Sequence, residues 1–244
     1  MADDALFDLP TPAGADLDVT TDLHLTGGLR VAVDHTFGTA ERIPLDDTSW
    51  VDHVHGWLAG DQALMDMLMA EAEWEQRSRW MYTREVTEPR LTAEYPVIAQ
   101  APHPVLHYLA AALTAHYGRS FTHLWMNWYR DHNDGTGWHA DRPADRQAEA
   151  VIPVLSLGAS RRFLIRPEVG GKSRTILTHG GDLVVMGGRT QRDYRHSVPQ
   201  QKPAAGPRLS LNFSIDPPRR SRRDATRHDN GSGPREQARA DLSG

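Results

Sequence analysis

The sequence predicts a mainly β protein, an antiparallel sandwich with helices in its N-terminal half. From residue 121 onward, short alternating or β-branched runs are separated by turns rich in Gly, Asn and Asp, as in "DHNDGTG", "EVGGK" and "MGGRT". The helical patterns come before them. Strands and helices do not alternate as βαβ units, so a parallel sheet is not expected.

Residues 1–18 are acidic and rich in Pro, Ala and Gly, and read as a flexible lead-in. "TSWVDHVHGWLAGDQALMDMLMAEAEW" (48–74) reads as helix, interrupted at Gly56 or Gly60. Asp61 is a candidate cap for the second piece, where Leu64, Met65 and Leu68 share a face. "PHPVLHYLAAALTAHYG" (102–118) is a clearer helix. Pro104 suits its first turn, Leu106, Leu109, Ala110 and Leu113 form the stripe, and Gly118 ends it. In "FTHLWMNWYR" the side chains of Phe121, His123, Trp125, Asn127 and Tyr129 share one strand face, and Leu124, Met126 and Trp128 the other. "AVIPVLSL", "RRFLIRP", "RTILTH", "DLVVMG" and "RLSLNFSI" are further strands. Residues 217–244 carry almost no large apolar side chain and read as a disordered tail whose basic "RRSRR" is solvated. The expected organisation is one domain over 19–216, with helical and lid elements at about 48–118 and a β core at 119–216.

Composition narrows the chemistry. A net charge of −5 over 244 residues restricts nucleic-acid binding to a local basic surface. With no cysteine there is neither disulfide nor thiolate metal site, and the 13 histidines are the strong nitrogen ligands available. No apolar run approaches a membrane span. The acidic start lacks a secretory pattern, so the expected location is cytoplasmic and the expected state monomeric, without membrane association.

Two His-x-Asp pairs stand close together. His132/Asp134 lies inside a run of turn residues and reads as solvated loop. His139/Asp141 follows Trp138 where a short strand can begin, and residues i and i+2 on a strand point the same way. His196 in "DYRHSVP" and Arg208 in "PRLSLNFSI" complete an ordered set. Two His and one carboxylate can hold Fe(II) with open positions, and an Arg can pair with the carboxylate of an acid co-substrate.

These residues resemble the AlkB family of Fe(II)- and 2-oxoglutarate-dependent dioxygenases, from about Pro89 to Ile215. "NWYRDHNDGTGWHAD" looks like the family's Asn-x-Tyr strand, loop and His-x-Asp. "VLSLGASRRF" is similar to its serine-leucine-glycine strand, "HGGDLVVMGGRTQRDYRHSVP" to the segment ending in the distal histidine, and "PRLSLNFS" to its closing motif. "PRLTAEYP" resembles a segment of the subgroup that favours single-stranded nucleic acid. The resemblance implies a double-stranded β-helix, or jelly roll. It implies Fe(II) on His139, Asp141 and His196, with 2-oxoglutarate near Asn127, Tyr129, Arg208, Ser210 and Ser214, and O2 as oxidant. The implied substrate is alkylated DNA or RNA, as a single strand or a flipped base, demethylated with release of succinate, CO2 and formaldehyde. Candidate base or phosphate contacts are Arg90, Tyr95, Trp138, Asp193 and Tyr194, with Trp80, Tyr82 and the pair Arg161/Arg162 behind them.

Two departures from the family pattern bear on the site. Ser214 stands where the closing motif has a second Arg, and Ser210 where Asn is common. Arg142 and Pro143 follow Asp141 where base-repairing members carry an acidic residue, with Asp145 displaced. The alternatives are the same oxidation of a protein or small molecule, or a non-catalytic sandwich that binds nucleic acid.

Overall fold

A computed structural model describes residues 21–24, 30–81, 84–141, 144 and 147–215. The acidic lead-in, the C-terminal tail, Tyr82, Arg142, Pro143, Asp145 and the side chain of Trp80 lie outside the described residues.

Two antiparallel sheets face each other. The larger is built from β3 (Ala40–Pro44), β4 (Ser49–Val54), β8 (Leu91–Tyr95), β9 (His123–Tyr129), β11 (Ala150–Gly158), β14 (Leu183–Gly188) and β16 (Arg208–Ser214), in the order β3-β4-β14-β11-β16-β9-β8. The smaller joins β10 (Thr136–His139), β12 (Arg161–Pro167), β13 (Arg174–Thr178) and β15 (Tyr194–Val198), in the order β10-β15-β12-β13. Consecutive strands repeatedly cross between the sheets, which makes the double-stranded β-helix. Outside them lie β1 (Thr21–His24), β2 (Arg30–Val33) and β5 (Leu58–Ala59), which form a small sheet, and the hairpin of β6 (Ser78–Met81) and β7 (Arg84–Thr87).

Strand alternation divides the core in two. Leu155 and Leu157 of β11, Leu183 and Val185 of β14, and Leu209, Leu211 and Phe213 of β16 turn outward. There they meet α1 (Asp61–Glu71) and α2 (Val105–Tyr117) through Leu64, Leu68, Leu106, Leu109 and Leu113. Each such leucine contributes about 1.5–3 kcal/mol by leaving water. The alternate residues, among them Ile152, Val154, Phe163, Ile165, Val184 and Met186, fill the space between the sheets. On β9 and β16 the inward positions are largely polar: Asn127, Tyr129, Arg208, Ser210 and Asn212. A polar floor inside an otherwise apolar sandwich marks the site.

The helix expected over 48–74 is only half present. Residues 61–71 form α1, with Leu64, Met65 and Leu68 buried as the stripe predicts. Asp61 is not the cap: Gly60 is, in the left-handed region at φ 82°, and Asp61 Oδ2 instead accepts the Gly158 amide at 3.0 Å. Residues 49–54 are a strand paired over six positions with β14. The Val51/Val54 spacing suits a helix locally, but the β-branched residues sit on a partner strand more than a hundred residues away. Gly187 is what lets that pairing close. A Cβ there would lie 2.0 Å from the Trp50 indole. Helix α2 follows expectation, with Gly118 closing it at φ 63°. No helix among the described residues is long and apolar enough to cross a membrane.

Candidate metal centre and its cleft

Strands β10 and β15 are neighbours, and their register sets His139 directly opposite His196. Asp141 follows two residues after His139, on the same side. His139 Nε2 lies 3.6 Å from Asp141 Oδ1, and His196 Nε2 lies 3.7 Å from Asp141 Oδ2. The two imidazole centroids are 4.1 Å apart at 53°. Ligand atoms so spaced can share one ion about 2 Å from each.

Neighbours fix the ligands. His139 Nδ1 donates to the Gly137 carbonyl at 2.9 Å, which leaves the Nε2 lone pair facing Asp141. His196 stacks on Phe163 with centroids 5.5 Å apart at 17°. Burial, then the neighbouring His139 and Arg195, push the His196 imidazole well below its ordinary pKa, so it is held in the neutral, metal-binding form. The Asp141 amide donates to Gln191 Oε1 at 2.8 Å. Buried Gln191, on the short helix α3 (Thr190–Asp193), also contacts Met186 Sδ and thus ties the Asp141 backbone to β14 of the larger sheet. Sequence reasoning missed Gln191; only its nearness to His196 hinted at it. Gln191→Leu is expected to weaken Fe(II) affinity about 10–100-fold, read by titration of the metal-free protein.

Beside the three ligands, the inward residues of β9 and β16 line a cleft. Arg208 is 1% exposed. Its Nη2 donates to Ser156 Oγ at 2.8 Å, and its guanidinium lies 5.3 Å from the Tyr129 ring centre. Nε and Nη1 are buried without a hydrogen-bond partner among the described residues. Burial lowers the Arg208 pKa to about 10. A cation held at that cost, with two donors unused, fits an anionic ligand. Asn127 Nδ2 donates to Ser210 Oγ at 3.1 Å, and its Oδ1 accepts from Arg90 Nε and Trp125 Nε1, each at 2.9 Å. The Tyr129 hydroxyl meets Thr136 Oγ1 at 2.9 Å. Asn212, also missed from sequence, lines the same cleft.

Ser214 lies outside the cleft. It is six residues from Arg208, about 20 Å of strand, and its hydroxyl meets His123 Nδ1 at 2.9 Å. His123 Nε2 contacts Glu94 at 3.3 Å, and Arg77 bonds the other Glu94 oxygen at 2.8 Å. The second arginine bordering the cleft is Arg90, from the turn before β8, which also pairs with Glu88 at 2.8 Å. The His123 hydrogen bond, followed by the Arg77 guanidinium, overcomes burial and lowers the Glu94 carboxyl to about 2. A depressed carboxyl contributes stability above its ordinary value of 4.5 that is lost as pH falls toward 2. The melting temperature of the wild type is therefore expected to fall more steeply across that window than that of Glu94→Gln.

The cleft opens into a wider groove lined by Glu88, Arg90, Trp138, Ala140, Arg195 and Gln200 among others. Trp138 is 38% exposed at its rim, with Arg166 stacked 4.2 Å from the ring centre. Other expected contacts lie elsewhere. Tyr95 packs against the helix-covered core and borders a separate surface hollow with Glu73 and Glu75. Asp193 pairs with Arg189 at 2.6 Å, and the Tyr194 hydroxyl donates to Asp46 at 2.9 Å. Tyr194 shares a strand face with His196, but sits about 7 Å farther along it. Arg161 is fully buried and donates to the carbonyls of Asp131, Asp134 and Pro199, so it braces loops instead of meeting phosphate. Arg162 is exposed. Asp134 is not solvated either: it is 4% exposed and held by Arg130 at 2.7 Å, and it belongs to no metal-spaced group among the described residues.

A family model described as the 2OG-Fe(II) oxygenase superfamily matches residues 54–222. The human alpha-ketoglutarate-dependent dioxygenase alkB homolog 3 is 32% identical over 171 residues, covering 62% of this chain and 59% of its own length. The human DNA oxidative demethylase ALKBH2 is 31% identical over 119 residues, 45% of each chain. The chain thus spans about three fifths of the length of the first of these relatives. The solved structure of OsALKBH1 superposes with a TM-score of 0.51 at 12% identity, over 72% of this chain and all of that one, a likeness of fold.

Proposed function

Because the chain belongs to the AlkB family of the 2OG-Fe(II) oxygenase superfamily, dioxygenases that use Fe(II), 2-oxoglutarate and O2, we propose that it removes N-alkyl groups from nucleic-acid bases. The observation that carries this reading is the coincidence of three elements. These are a His-Asp-His triad, a buried arginine with two unused donors beside it, and a groove with an arginine-stacked tryptophan at its rim. Iron, 2-oxoglutarate and O2 together supply the oxidising power that hydroxylates an N-alkyl carbon, with formaldehyde, succinate and CO2 as products.

The residues divide the remaining work. His139, Asp141 and His196 would hold the metal and, supplying three ligands, would leave positions open for exchangeable ligands. Arg208 would bind the distal carboxylate of 2-oxoglutarate, and Tyr129 and Asn127 would orient the co-substrate. Arg90, whose guanidinium Glu88 and Asn127 fix, would supply the second positive charge that Ser214 lacks. Phe163, Val154 and Val198 keep that end of the cleft dry.

A base must leave its stack to reach the triad, so single-stranded or flipped substrate is favoured. Trp138 offers a ring on which an extruded base can stack, and Arg166 behind it fixes the ring's plane. Trp138→Ala is expected to raise the KM for a methylated oligonucleotide roughly 5–100-fold, the equivalent of about 1–3 kcal/mol of stacking. The KM for 2-oxoglutarate should stay unchanged. Mass spectrometry of single-stranded and duplex oligonucleotides carrying 1-methyladenine or 3-methylcytosine tests the substrate reading. Loss of the methyl group, faster in single strands, is expected. Succinate release stimulated by a peptide or metabolite, with every oligonucleotide left intact, overturns the reading.

A further inference from the structure

A second group with metal-ligand spacing lies away from the cleft: His53, His55 and Asp182, whose ligand atoms all lie within 4.8 Å of one another. It joins the end of β4 to the turn that leads from β13 into β14. None of the three lines the cleft or the groove.

Its geometry parallels that of the iron triad. There, two imidazoles lie 4.1 Å apart at 53°, with carboxylate contacts of 3.6 and 3.7 Å. In the second group the imidazoles lie 3.9 Å apart at 50°, and Asp182 Oδ2 is 3.1 Å from His53 Nε2 and 3.9 Å from His55 Nδ1. Both groups bring an i, i+2 pair together with one residue from a distant strand or turn. The structure assigns this second group as a site for a divalent transition-metal ion, separate from the iron centre. Two imidazole nitrogens and one carboxylate suit zinc, cobalt or nickel better than calcium or magnesium, which prefer all-oxygen sites.

Asp182 is prepared for the role. It is 3% exposed, and its oxygens accept the Gly56 amide at 2.9 Å and the His179 amide at 2.9 Å, which fix the carboxylate plane. His53 is 5% exposed and, without an ion, donates Nε2–H to Asp182. Metal binding replaces that proton, and the ring carries its hydrogen on Nδ1 instead. His55 is exposed and closes the site from solvent, leaving the fourth position for water. An ion there would tie the end of β4 to the turn that leads into its neighbour β14, and stabilise the fold by mass action.

The test uses the full chain stripped with chelator and titrated with Zn2+ alone. The wild type is expected to bind two equivalents and His55→Ala one, since replacing an exposed histidine leaves the fold intact. His139→Ala/His196→Ala, which lacks the iron ligands, is expected to retain one equivalent and to gain melting temperature with Zn2+. Adding His55→Ala to it should lower zinc affinity at least about tenfold and abolish the gain. A single equivalent in the wild type, or zinc held equally well after His55→Ala, overturns the proposal.

Discussion

Replacing Arg208 with methionine is expected to raise the KM for 2-oxoglutarate by roughly 30-fold or more while leaving the ligand-free protein as stable as the wild type, or more so. The two halves of this result come from one fact. Arg208 is buried with Nε and Nη1 unpartnered among the described residues, and burial lowers its pKa to about 10. In the ligand-free fold the charge is a burden, and a methionine of similar length relieves it. In the liganded state the same charge meets a carboxylate away from water, and losing one partner of such a pair costs about 2–5 kcal/mol. Ser156, which holds Nη2, keeps the guanidinium aimed while it waits. Isothermal titration of 2-oxoglutarate with thermal unfolding of the ligand-free protein reads both halves. A purely structural Arg208 would give the opposite pattern, with lost stability and unchanged affinity.

Asp141→Asn is expected to lower formaldehyde release more than about a hundredfold, because a lost ligand should cost at least as much as a lost supporting residue. The amide keeps the shape of the side chain and removes the one anionic side chain of the triad, so the protein would offer Fe(II) two neutral imidazoles and an amide oxygen. Asp141 contacts both histidines, at 3.6 and 3.7 Å, so its charge acts on the whole triad. The Gln191 bond to its backbone amide is untouched, and the fold should persist with little change in melting temperature. Fe(II) titration alongside the formaldehyde assay separates a lost metal from a lost reaction.

Much of this centre is legible in the chain. The alternation in "FTHLWMNWYR" places Asn127 and Tyr129 together on the inward face of β9, and the spacing of His139, Asp141, His196 and Arg208 carries the family resemblance. Long-range pairing is what local pattern cannot give. "TSWVDHV" spaces its valines as a helix would, and only the partner strand Leu183–Gly188 decides otherwise. The supporting residues are hidden for the same reason. Ser156, Gln191 and Asn212 are ordinary polar residues in the sequence, and acquire meaning only where strand register brings them to Arg208, Asp141 and the cleft. Tyr194 shows the converse: its place near His196 suggests the pocket, and its hydroxyl goes instead to Asp46. Arg90, proposed above in place of the missing second arginine, is likewise hidden, because its position in the cleft depends on β8 pairing with β9.

The most direct test of the central claim is a product balance. The protein is incubated with Fe(II), ascorbate, 2-oxoglutarate and a single-stranded oligonucleotide carrying 1-methyladenine, with His139→Ala as control. Formaldehyde and succinate should appear in equal amounts from the wild type, and neither above background from the control. Succinate without formaldehyde, or formaldehyde that survives in His139→Ala, would contradict the assignment of this triad and cleft to oxidative demethylation.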